Sequence, residues 1–117
     1  MATISQTITI TDSSTGLRDS VSKTVETSGT GTSISVHGIG TSEVEYSVPA
    51  EIGNAGLCKI VNMDATNYVE VGFSTGSYPI KILAGGFCLL QIAPATASLF
   101  LKANSATCVV SIYIHEV

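Results

Sequence analysis

The chain has 117 residues, 44% of them hydrophobic and only 12% charged, with five Lys/Arg against nine Asp/Glu for a formal net charge of −4. That length suits one domain with a two-layer core, and the hydrophobicity opposes intrinsic disorder. The few, scattered basic residues exclude the clustered positive charge that phosphate backbones and anionic membrane surfaces require.

Residues 3–11, rich in Thr, place Ile4, Ile8 and Ile10 on one face of a strand, and the cluster 12–16 reads as a turn. In residues 17–27, Leu17, Val21 and Val25 fit a helical row and a strand alternation equally well. The Ser, Thr and Val content decides for a strand. Residues 28–32, Ser-Gly-Thr-Gly-Thr, punctuate the chain. Residues 33–37 and 43–48 then alternate, presenting Ile34 and Val36, then Val44, Tyr46 and Val48, until Pro49 removes the N–H that a ladder would need. Residues 50–56 break the pattern and are expected to bridge two sheets. Further strands are expected at 57–63, 68–73, 78–83, 87–92, 98–103 and 107–116, separated by Gly, Pro, Asn and Ser. The stretch 58–72 reads as a β-hairpin closed by Asp64-Ala65-Thr66-Asn67. Asp64 and Asn67 there serve the turn by accepting backbone hydrogen bonds.

No segment carries a sustained apolar stripe at helical spacing. The expectation is an all-β, single-domain protein over residues 1–117, an antiparallel β-sandwich or jelly-roll-like fold of roughly eight to ten strands. Residues 1–11 form either an N-terminal arm or an edge strand. The expected core includes Val61, Val71, Ile82, Leu89, Leu99, Val110, Ile112 and Ile114, with Val109, Ser111, Tyr113 and His115 on the other face of the last strand.

Chemistry-bearing patterns are missing from the sequence. Cys58, Cys88 and Cys108 lack metal-ligand spacing and sit within strands, where a buried, reduced thiol acts as a small hydrophobe. His37 and His115 have no ligand spacing around them, and no Gly-x-Ser-x-Gly elbow is present. Glu43 and Glu45 share one strand face as solvated carboxylates, and the Gly-x-Gly pairs at 29–31 and 38–40 are too short for nucleotide binding. The reading is therefore no catalytic residues, no cofactor and no metal. No secretory leader is evident, and the apolar runs 87–93 and 108–114 are too short to span a bilayer, so synthesis in a cytosol without membrane insertion is expected.

Residues 57–117 resemble the C-terminal half of small β-sandwich virion proteins of tailed bacteriophages. The likeness rests on the run from Asn62 to Gly72 (NMDATNYVEVG), then 78–87 (YPIKILAGGF), Ile92-Ala93-Pro94, 99–106 (LFLKANSA) and the terminal VSIYIHE. What the resemblance implies is a structural virion protein, made and assembled in the host cytoplasm, a capsid decoration or cement protein contacting the major capsid protein. A neck, tail or fibre module is the alternative place in the virion. A carbohydrate- or receptor-binding module built on Tyr68 or Tyr78 is the rival of another class. Low charge and free strand edges suit self-association, with a trimer the first expectation. Ile4, Ile8 and Ile10 are the candidate partner contact, docking by β-augmentation.

Overall fold

Ten strands make up the regular structure of the computed structural model, which describes residues 2–27, 31–53, 55–93 and 96–116. No helix occurs among these residues. Parts of two expected turns, 28–30 and 94–95, lie outside them. In chain order the strands are β1 (Ala2–Asp12), β2 (Leu17–Thr27), β3 (Thr32–Ile39), β4 (Val44–Ser47), β5 (Ala55–Asn62), β6 (Val69–Gly72), β7 (Ile80–Ile82), β8 (Phe87–Gln91), β9 (Ser98–Ala103) and β10 (Cys108–Glu116).

Strands β3 to β10 form two four-stranded antiparallel sheets, ordered β3-β10-β5-β8 and β4-β9-β6-β7. The pairing β3·β10, β4·β9, β5·β8 and β6·β7 is that of one long hairpin whose tip lies between β6 and β7. Rolling that hairpin adds the pairs β10·β5 and β6·β9. The result is a jelly-roll sandwich, in which successive strands of the first half alternate between sheets. The chain makes one such crossing between β4 and β5, as the break in strand patterning indicates.

The stretch 58–72 is not the hairpin that its sequence suggests. Strand β5 belongs to one sheet and β6 to the other, and residues 63–68 arch between them. Asn62 explains the arch. Its side chain is fully buried, and its Nδ2 donates to the carbonyls of Asn67 (2.9 Å), Ile82 (3.2 Å) and Leu83 (3.3 Å). Its Oδ1 accepts from the Asp64 amide at 3.0 Å. Asp64 in turn accepts from the amides of Thr66 and Asn67, at 3.0 and 2.7 Å, which hold its carboxyl below the usual range.

Between the sheets lie Ile60, Val69, Val71, Ile82, Leu99, Leu101, Val110, Ile112 and Ile114. Two residues expected in the core are elsewhere. Val61 and Leu89 are half-buried on the outer face, because the inward parity of β5 is Cys58, Ile60 and Asn62 and that of β8 is Cys88 and Leu90. Both strands carry apolar residues on both parities, so hydrophobicity alone does not select a face. Cys58 and Cys108 are buried and Cys88 half-buried, all with free thiols. Burial pushes the Cys58 thiol up to about 12.

Strands β1 and β2 stand apart as a third sheet, a two-stranded ribbon paired from Ala2–Thr27 to Asp12–Leu17. Residues 17–27 are strand throughout, settling the helix-or-strand ambiguity. At about 3.4 Å per residue the ribbon is roughly 35 Å long. Asp12 shapes its tip. Its carboxylate accepts from the Ser14 amide and hydroxyl, at 2.9 and 2.7 Å, and from the Thr15 hydroxyl at 2.9 Å. Gly16 supplies the left-handed residue that such a turn needs, at φ 73°.

Candidate interaction surface

Pairing makes the ribbon two-faced. One face is a ladder of hydroxyls, with Ser5–Thr24, Thr7–Ser22 and Thr9–Ser20 in side-chain hydrogen bonds of 3.3, 3.0 and 3.1 Å. The opposite face pairs Ile4 with Val25, Gln6 with Lys23, Ile8 with Val21, Ile10 with Asp19 and Asp12 with Leu17. The three isoleucines singled out in the sequence do share a face, but in different environments. Ile4 is half-buried, whereas Ile8 is 40% and Ile10 62% exposed.

The difference comes from where the ribbon lies. Its base covers the outer face of the β3-β10-β5-β8 sheet. There Ile4, Gln6, Lys23 and Val25 enclose Leu57, which is only 4% exposed although it points away from the core. Ser5, Thr7, Lys59, Leu89 and Tyr113 line an adjoining cleft of about 260 Å³. Farther out, Ile8 and Val21 line a cleft together with Gln91 of the edge strand β8. Ile10 and Leu17 lie beyond that point of the ribbon, exposed with Val21 on its apolar face.

The ribbon covers only part of the sheet. Register aligns Val36 of β3, Ser111 of β10, Val61 of β5 and Phe87 of β8 in one row across the outer face. Phe87 is 69% and Val36 61% exposed, and Ile34 and Val109 flank the row, also exposed. Strand β3 shows this most clearly. Its Ser33, Ser35 and His37 are the half-buried parity, while Ile34 and Val36 face out. A surface strand normally does the reverse. Apolar side chains exposed along one row, interrupted by Ser111, mark a place that another molecule covers.

Polar groups elsewhere are committed to structure. Glu43 accepts from the Gly76 amide at 2.8 Å and from the Tyr78 hydroxyl, contacts that hold its carboxyl below the usual range, and Glu45 accepts from Ser98 Oγ at 2.7 Å. His37 bonds Ser35 Oγ at 2.7 Å and packs edge-on against Tyr46, with centroids 5.1 Å apart. His115 Nδ1 meets the Glu116 carbonyl at 2.6 Å. The Glu116 carboxylate accepts from the Gly31 amide at 3.1 Å, and the Gly31 carbonyl accepts from the Glu116 amide at 2.8 Å. That pair fastens the chain where it enters the sandwich after the ribbon. Among the described residues no three His, Cys, Asp or Glu side chains are grouped to hold a metal ion.

Tyr68 and Tyr78, the aromatic pair a sugar-binding platform would use, are half-buried. Lys81 Nζ sits 4.1 Å from the Tyr68 centroid and Lys102 Nζ 5.9 Å from that of Tyr78, so each ring has a cation over one face.

Sequence reasoning identified Ile4, Ile8 and Ile10 but did not place Val21, opposite Ile8, and Leu17, opposite Asp12, on the same surface, and it missed the outer row. The signal for the row was the Ile34/Val36 alternation, whose direction depends on the register with β10. No protein-family model matches the chain, and no curated protein matches it either.

Proposed function

We propose that this is a structural virion protein of a tailed phage, a capsid decoration or cement protein that strengthens the head through protein–protein contacts and carries no catalytic site. The observation that carries the reading is aliphatic surface left in solvent on a rigid jelly roll, on the outer face of β3 and along the distal half of the ribbon. The likeness of residues 57–117 to small phage virion proteins supplies the setting. The candidate contact Ile4, Ile8 and Ile10 narrows to Ile8 and Ile10, since Ile4 is already engaged by its own sheet.

Magnitudes fit attachment by repetition. Covering roughly 400 Å² of apolar surface gains about 10 kcal/mol at 25 cal/mol per Å². Association itself costs about 4–15 kcal/mol, so a single contact of this size is weak. Many copies on one shell, each tied to its neighbours, convert weak contacts into firm coverage. A glycan-binding role finds less support, because Tyr68 and Tyr78 are half-buried and each has a lysine over one face.

The test is co-sedimentation of the full chain with undecorated capsids of the particle it belongs to, alongside the double substitution Ile8→Ser, Ile10→Ser. The full chain is expected to pellet at saturating stoichiometry, with at least about tenfold weaker binding for the variant, the effect of losing ~1.4 kcal/mol. A full chain that stays in the supernatant while binding a glycan array would end the cement reading.

A further inference from the structure

From the two uncovered apolar surfaces we infer that they are halves of one contact: the distal half of the ribbon of one copy seats on the uncovered outer sheet row of a second copy. This deepens the reading of the ribbon as an attachment element and rests on it, assigning Ile8 and Ile10 to a neighbouring copy on the shell and not to the capsid protein itself, and it requires no capsid.

Three observations carry it. The first is chemical continuity. Within one chain the ribbon's apolar face already docks on this same sheet face, through Ile4 and Val25 around Leu57. The exposed Ile8, Ile10, Leu17 and Val21 continue that face, and Val36, Val61 and Phe87 continue that sheet. What packs in cis at the base has unused surface of the same kind on both sides.

The second is area. Scaling each residue's full surface by its exposed fraction gives roughly 400 Å² of large apolar side chains on the ribbon and about the same on the sheet, together about 800 Å². A standard interface buries about 1,600 Å², a little over half of it apolar, so the two patches match in size and supply that share.

The third is charge. The distal ribbon face carries Asp12 and Asp19, while the outer sheet face carries Lys59 and no carboxylate. Lys23 lies toward the base of the same ribbon face, so two ribbons would oppose carboxylates where their distal halves overlap, whereas ribbon on sheet brings unlike charges together. Each contact therefore joins unlike patches, so copies can pair by reciprocal exchange of ribbons, close into a ring or run on as an open array.

The geometry makes a complementation test decisive. Ile10→Lys spoils the ribbon's apolar face while setting a cation opposite Asp19, and Val36→Asp spoils the sheet; both positions are exposed, so neither should disturb folding, and far-ultraviolet circular dichroism and thermal melts check this. Sedimentation velocity is run on the full chain and on each variant at up to roughly 100 µM, where weak contacts are populated. The full chain is expected to associate and each variant alone to run as a monomer. The two variants mixed are expected to form a one-to-one heterodimer, because each retains the half that the other lacks. A monomeric full chain overturns the inference. So does a Val36→Asp variant that still associates, which would mean ribbon on ribbon, and so does a mixture that stays monomeric. If the full chain is monomeric yet pellets with capsids, the inference falls and the cement reading stands. If it associates but ignores capsids, the reverse holds.

Discussion

Asn62 provides the sharpest energetic prediction. Its side chain makes four hydrogen bonds that join the end of β5, the arch at 63–68 and the end of β7. Asn62→Ala leaves three carbonyls and one amide without that partner. The bond to the Ile82 carbonyl is buried and the other three are part-buried, within reach of entering water. An unsatisfied buried group costs about 1–3 kcal/mol, so about 2 for the buried carbonyl and about 0.5 for each of the others gives a loss of ~3–4 kcal/mol. Asn62→Asp separates shape from donation. It keeps the volume and the acceptor for Asp64 but places a carboxylate against three carbonyls, and should cost at least as much at neutral pH. Burial would raise that carboxyl's pKa above its unfolded value. Its penalty is therefore smallest below the unfolded value, near 4, and grows as pH rises through it. Urea titrations at pH 7 and pH 4 measure both effects, with an unchanged m-value as the sign that the same transition is observed. If Asn62→Ala costs less than about 1 kcal/mol, the arch does not depend on this side chain and the reasoning fails.

Two further perturbations test other parts of the fold. A Cβ added at Gly72 would lie 1.7 Å from the Ser77 carbonyl oxygen and 2.8 Å from its carbon, so Gly72→Ala should cost at least about 3 kcal/mol by denaturant titration. At Gly40 nothing lies within 4 Å, and Gly40→Ala should fall within about 0.5 kcal/mol of the parent. At the ribbon tip, hydrogen bonds from Ser14 and Thr15 lower the Asp12 carboxyl to about 2. A depressed carboxyl contributes stability above its unfolded value and loses it as pH falls through the folded one. Amide shifts of residues 13–16 should thus hold steady down to about pH 4 and move between there and pH 2, while those of β5 stay fixed. A midpoint at the ordinary carboxyl value near 3.9 would contradict this.

Much of the fold was legible because period-two patterning and turn residues are local signals. The ten expected strands coincide with the ten observed to within a few residues, including the ambiguous 17–27. Pairing is not local, and that is where reading failed. Residues 58–72 look like a hairpin because two strand-like runs flank an Asp/Asn turn, yet Asn62 turns the chain across to the opposite sheet. The faces of Val61 and Leu89 were misread because Leu57, Ile60 and Val61 in β5, and Phe87, Leu89 and Leu90 in β8, occupy both parities. Residues 12–16 were recognised as a turn between two strands, but nothing in the sequence indicates that β1 and β2 pair only with each other. Of the interaction surface, the isoleucines were visible and the outer row was not, since β3 hides hydroxyls and exposes aliphatics against the usual rule.

The most direct test of a cement role is the thermal opening of the capsid itself. Undecorated capsids are heated with saturating full chain, with the Ile8→Ser, Ile10→Ser variant and with no addition, and opening is followed by light scattering or by dye access to the interior. The full chain is predicted to raise the opening temperature, and the variant to leave it near that of bare capsids. A full chain that coats the capsid yet leaves the opening temperature unchanged would contradict the account.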